Sequence, residues 1–182
     1  MKKVFFIFSL LYTMTSYSQD FEMLNFINIY RINNGCESLI YSEHLEKIAK
    51  NQNSVNILTD SVSHSHKASE ISLKGCSLPV TKDKQQNFNN FLQKFFKIEY
   101  IEPKKESEVL TFIKLYSIYL FSTSKSHNKI LLGEYKYIGF DVYIKNISFV
   151  KNTITIGKKT YTIDKLINHY KSDFYVVIDI KK

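Results

Sequence analysis

Five histidines, His44, His64, His66, His127 and His169, carry most of the chemistry available to this chain. His64 and His66 sit in a polar, serine-rich stretch, and His127 follows Ser124 and Ser126. Neutral imidazoles suit zinc or copper, and a catalytic zinc site uses three protein ligands plus a water. A serine near a histidine is also the nucleophile-and-base pairing of a hydrolase. Ser124 or Ser126 with His127, and Glu70 to orient the base, are the candidates for that chemistry. The sequence contains no nucleophile elbow and no His-Glu-x-x-His helix, so no local motif specifies hydrolysis. His44 and His169 fall on expected helices and read as surface residues.

Those residues need elements to hold them. The spacing predicts a helix over 21–33, with Asp20 as cap and Leu24, Ile27 and Tyr30 on one face. Asn33, Asn34 and Gly35 end it, because Asn and Gly tolerate the left-handed conformation. A second helix over 42–58 is capped by Ser42, with Leu45, Ile48, Ala49, Gln52 and Val55 at helical spacing. Residues 60–69 read as a polar turn region. Helices are expected over 83–100 and 106–121, and their aromatic stripes read as core rather than as a ligand cage. From Tyr137 the pattern alternates, giving a strand over 139–145. A hairpin is expected over 146–161 around Lys151-Asn152, with a second turn near Gly157-Lys158. A short helix over 162–170 and a last strand over 174–180 complete the chain. Helices first and a small sheet last give an α+β class, arranged as a layered sandwich.

Composition limits the partners. There are 25 basic and 17 acidic residues, and Arg31 is the one arginine. Base and phosphate recognition usually recruits arginine forks, so nucleic acid is not expected as a partner. Met1-Lys2-Lys3 followed by an apolar run from Val4 to Tyr12, with Ser16 and Ser18 as small residues, reads as a signal peptide over 1–18 cleaved between Ser18 and Gln19. Its removal leaves 23 basic against 17 acidic residues, a net charge of +6. That balance favours weak attraction to anionic lipid or glycan surfaces. The mature chain is expected to be secreted or periplasmic, a single domain over 19–182 with no membrane-spanning segment. In that compartment Cys36 and Cys76 are candidates for one disulfide.

Separated segments in a fixed order carry a resemblance. Asn28 and Arg31 are followed by Gly35, Leu39 and Tyr41, Leu45 and Ala49, and Ser63-His64. Then come Ala68-Ser69-Glu70-Ile71, Phe121-x-x-Ser124-x-x-His127, Ile138-Gly139-Phe140-Asp141-Val142, and Phe174 to Val177. Together they resemble the CAP superfamily (cysteine-rich secretory, antigen-five and pathogenesis-related proteins) in its compact bacterial form. The chain departs from the pattern in having no tryptophan, in an added aromatic segment near 83–100, and in an added region between 143 and 173.

The resemblance implies an α/β/α sandwich whose small, mainly antiparallel sheet is flanked by helices. It also implies a cleft that brings together His64, His127 and Glu70, with His66 as the alternative to His64. Ser124 stands where many members carry a second glutamate. The implied function is a binding module for a lipid, glycan or protein ligand, with Zn2+ as the candidate cofactor held by His64, His127 and Glu70. The alternative it implies is a metal-dependent or Ser/His hydrolase using the same cleft.

Overall fold

The computed structural model describes residues 21–64, 69–75, 82–99, 106–150, 153–156, 159–162 and 169–182. The expected signal segment, Asp20, His66 and Cys76 lie outside the described residues. Residues 21–33 form helix α1. After it come β1 (Ile40–Tyr41), α2 (Glu43–Thr59), β2 (Ser69–Gly75), α3 (Lys82–Phe96), α4 (Glu106–Thr123), α5 (Lys125–Leu131), β3 (Tyr137–Val150), β4 (Thr153–Ile156), β5 (Lys159–Thr162) and β6 (His169–Lys181). The chain is α+β, as its pattern implies.

The main sheet has the order β1-β3-β6-β2. β1 runs parallel to β3, and β6 is antiparallel to both β3 and β2. Alternation along the strands divides the sheet into two faces. One face presents Ile71, Ile138, Phe140, Phe174, Val176, Ile178 and Ile180 to a core shared with α1, α3, α4 and α5. The other carries Glu70, Asp179, Gly139, Asp141 and Tyr175, in register across the strands. Helix α2 packs on this second face, against β3 and β6. The result is helices on both sides of one sheet.

Local chemistry explains the elements. Ser42 caps α2 by accepting a hydrogen bond from Leu45 N at 3.4 Å. Asp60 closes the helix in the left-handed conformation. Gly35 takes φ 76 where α1 ends, the conformation that favours glycine. The aromatic face of α3 is consumed by the core: Phe88 packs edge-on against Phe112 and Tyr116, and Phe91 packs against Tyr30 and Phe95.

Gly139 lets α2 sit close to the sheet. A Cβ there would fall well inside van der Waals contact with Glu46 N and Leu45 C. Both are backbone atoms of the first helical turn, which cannot swing aside. Gly139→Ala is expected to destabilise by roughly 2–4 kcal/mol, read by urea unfolding. A loss below about 0.5 kcal/mol would mean that α2 rides up without cost.

Three expectations change. β3 does not fold back on β4 around Lys151-Asn152. It pairs with β6 as far as Val150 and His169, and β4 pairs with β5. The alternating pattern marks the strands but carries no information on which distant strand each one meets. The expected helix over 162–170 is not present at its ends, since Thr162 belongs to β5 and His169 and Tyr170 to β6. Its middle lies outside the described residues. The turn region expected over 60–69 gives way to β2 at Ser69, whose Glu, Ser and Lys alternate with apolar residues on an edge strand.

Candidate functional site

Helix α2 builds the site through a row of amides. Gln52 and Asn56 are buried, and both engage Ser63 in the segment just beyond the helix. Gln52 Nε2 donates to Ser63 O at 3.0 Å and to Ser63 Oγ at 2.7 Å. Asn56 Oδ1 accepts from Ser63 N at 2.9 Å and from Ser63 Oγ at 3.0 Å. The serine of the Ser63-His64 pair is thus a fastener rather than a nucleophile, and it fixes the segment after α2 that carries His64.

His64 meets Glu70 on β2. Its Nδ1 lies 3.1 Å from Glu70 Oε1. The same oxygen accepts from Ser72 Oγ at 2.7 Å. The Glu70 side chain is 2% exposed, whereas that of His64 is 44% exposed. A proton on Nδ1 directed at the carboxylate leaves Nε2 as the ring's outward lone pair. This is the carboxylate–histidine arrangement that orients imidazoles in metal and ligand sites.

His127 belongs to the same neighbourhood. It projects from α5 and packs edge-on against Phe121, with centroids 5.5 Å apart. Burial pushes its pKa below the ordinary 6.5, and His64 pushes it the same way whenever its ring is protonated. His127 is therefore neutral at pH 7, the form that offers a lone pair. The hydroxyls of Ser124 and Ser126 pair with each other at 3.3 Å on the exposed side of α5.

One participant has no signal in the sequence. Asp179 stands directly opposite Glu70 across the β2–β6 ladder and opposite Gly139 on the β3 side. It is 0% exposed. Among the described residues neither of its oxygens has a hydrogen-bond partner. Burial and then the charge of Glu70 push its pKa up to about 7. An alternating strand with one aspartate reads as polar-out, and only the placement of α2 shows that this residue is covered.

The residues that carry the resemblance at the start of the chain are structural. Asn28 clips the backbone of Leu39, donating to its carbonyl at 3.0 Å and accepting from its amide at 2.8 Å. Arg31 is buried and donates to Glu37 O at 2.8 Å, Leu131 O at 2.6 Å and Gly133 O at 3.1 Å. It ties α1 to the end of the helix that carries His127. Cys36 holds a free thiol beside Leu132 O, and its expected partner lies outside the described residues. A cavity of about 710 Å³ opens here, lined by Arg31, Cys36, Tyr135 and Lys182 and by none of the candidate site residues.

Comparison with known proteins adds nothing to this geometry. No family model, no curated protein and no solved structure matches the chain. The donor set must then be judged alone. His64 Nε2 and the neutral His127 offer two imidazoles, while Glu70 Oε1 is engaged by His64 and Ser72. Among the described residues no group of three or more His, Cys, Asp or Glu converges on a metal position. His64 and His127 are the two imidazoles within electrostatic reach of each other.

Proposed function

We propose that this chain is an exported, CAP-like binding module that engages its ligand through the cleft formed by His64, Glu70 and His127. The observation that carries the reading is the His64–Glu70 pair beside a neutral, half-buried His127. A buried carboxylate that fixes one imidazole, next to a second imidazole held unprotonated, is a preorganised polar contact set. It can hydrogen-bond a headgroup or sugar hydroxyl, and it can share a divalent ion, zinc first, through His64 Nε2 and His127. The segment 1–18 supports export by its composition. No helix among the described residues is long and apolar enough to cross a membrane. Ser63 Oγ is tied to Gln52 and Asn56, and the Ser124 and Ser126 hydroxyls pair with each other, which supports binding over hydrolysis.

Zinc titration by calorimetry tests the reading. The protein is expected to take up one ion, with His127→Ala and His64→Ala each weakening uptake at least about tenfold. Glu70→Gln is expected to weaken it by about 10- to 100-fold, because the ring loses its orienting partner. Binding that survives both histidine variants would place the ion elsewhere and remove the cleft from the proposal.

A further inference from the structure

Arg31 is the one arginine of the chain, and its bonds leave part of it unused. A guanidinium carries about five N–H donors in one plane. Nε meets Glu37 O, and Nη1 meets both Leu131 O and Gly133 O. Nε and Nη1 are thereby satisfied. Nη2 has no hydrogen-bond partner among the described residues. The fully enclosed side-chain atoms without a partner are Asn53 Oδ1 and the Asp179 oxygens, so the unpartnered Nη2 keeps an open side. That side is the cavity of about 710 Å³ that Arg31 lines.

The charge is unused as well. Arg31 is 1% exposed, yet among the described residues it forms no ion pair with a carboxylate. Glu37 gives it a backbone carbonyl, and the Glu37 carboxylate acts on it only through space. Burial pulls the Arg31 pKa below its ordinary value, without bringing a guanidinium near neutrality. A buried cation held by carbonyls alone still lacks a counter-charge. The walls of the cavity carry Lys136 and Lys182 beside Glu37 and Glu134. With Arg31 these make three cations against two carboxylates, an excess of one positive charge. Leu132 and Tyr135 supply an apolar part. The volume falls within the range of small-molecule sites, about 300–1,000 Å³.

We propose that this cavity binds a small organic monocarboxylate, its carboxylate on Arg31 Nη2 and its hydrocarbon against Leu132 and Tyr135. A carboxylate accepts readily from guanidinium N–H groups, and a charged pair of this kind is stronger than a neutral hydrogen bond. One negative charge cancels the excess of the lining. A doubly charged phosphate would overshoot it and meet the repulsion of Glu37 and Glu134. The cavity shares no residue with the histidine cleft, so the two assignments fail independently.

A single arginine makes the test direct. Labelling the full chain with nitrogen-15 arginine gives one guanidinium set in the proton–nitrogen spectrum. The probes are butyrate, butyramide and inorganic phosphate. Butyrate is expected to shift the Nη2 signals saturably, with half-saturation on the order of 1 mM, and butyramide to leave them in place. K136Q/K182Q removes two exposed lysines and keeps every Arg31 bond. It is expected to weaken butyrate binding about threefold or more. The equally neutralised K47Q/K84Q, on α2 and α3, is expected to weaken it less than about twofold. A shift that does not saturate below about 100 mM butyrate, an equal response to butyramide, tighter binding of phosphate than of butyrate, or equal losses in the two lysine variants would each overturn the assignment.

Discussion

Replacing Asp179 with asparagine is expected to stabilise the protein at pH 8 and to leave it nearly unchanged at pH 4. The carboxyl is buried beneath α2, opposite Glu70 and without a hydrogen-bond partner among the described residues. Its pKa of about 7, against an ordinary 3.8, means that the folded chain holds this proton more tightly than the unfolded chain does. The stabilisation is full below about pH 4 and is lost as pH rises through about 7. The displacement corresponds to roughly 4 kcal/mol at most. The asparagine would keep unpaired polar atoms in the same place, so about 2 kcal/mol is the recovery to expect at pH 8. His127, whose pKa is lowered, contributes the opposite slope near pH 6. The difference between wild type and Asp179→Asn cancels that contribution. Urea unfolding of both proteins across pH 4 to 8 provides the curve. Parallel profiles would show that Asp179 is ionised in the fold at no cost.

The same residue marks the boundary of what the chain discloses as a string. Helices α1 to α4 follow from apolar spacing and caps because their signals are local. Ser42, the Asn-Gly turn at 34–35 and the four-residue repeats of α2 each act within one turn of themselves. Helix α5 is not legible, since so short a segment holds too little periodicity to separate from a loop, yet it carries His127. Strand partners are not legible either. Nothing within residues 146–162 says that β3 meets β6 rather than β4. In the site, His64, Glu70 and His127 stand out through their order along the chain. The structure brings His64 onto Glu70, with His127 in electrostatic reach. The amides of Gln52 and Asn56 are hidden inside a helical repeat. Asp179 is hidden because its role depends on Glu70 and Gly139, which lie on two other strands far back in the chain and meet it only across the assembled sheet.

Arg31→Ala is expected to cost roughly 3–5 kcal/mol, among the largest single losses available in this chain. The guanidinium is 1% exposed and spends three donors on three carbonyls from two separate stretches of chain, Glu37 and the end of α5 with Gly133 beyond it. Alanine would leave those carbonyls without their donor and open a cavity the size of the side chain. Lysine is expected to recover less than half of the loss. A single ammonium cannot copy a planar fork that reaches Glu37 O on one side and Leu131 and Gly133 on the other. The position of the partners extends the effect to the cleft. Leu131 ends α5, and a cation at a helix C-terminus also offsets the negative end of its dipole. Tyr30, one residue earlier, donates to Asn128 Oδ1 at 2.9 Å on the same helix. Loosening this anchor frees α5 to move away from Phe121, and His127 regains solvent. Its pKa is then expected to climb back toward 6.5, followed by proton NMR of the imidazole in Arg31→Lys, the variant more apt to remain folded. An unchanged His127 titration in a destabilised Arg31→Lys protein would separate the stability of the loops from the geometry of the cleft, and would show that α5 is held by its core contacts alone.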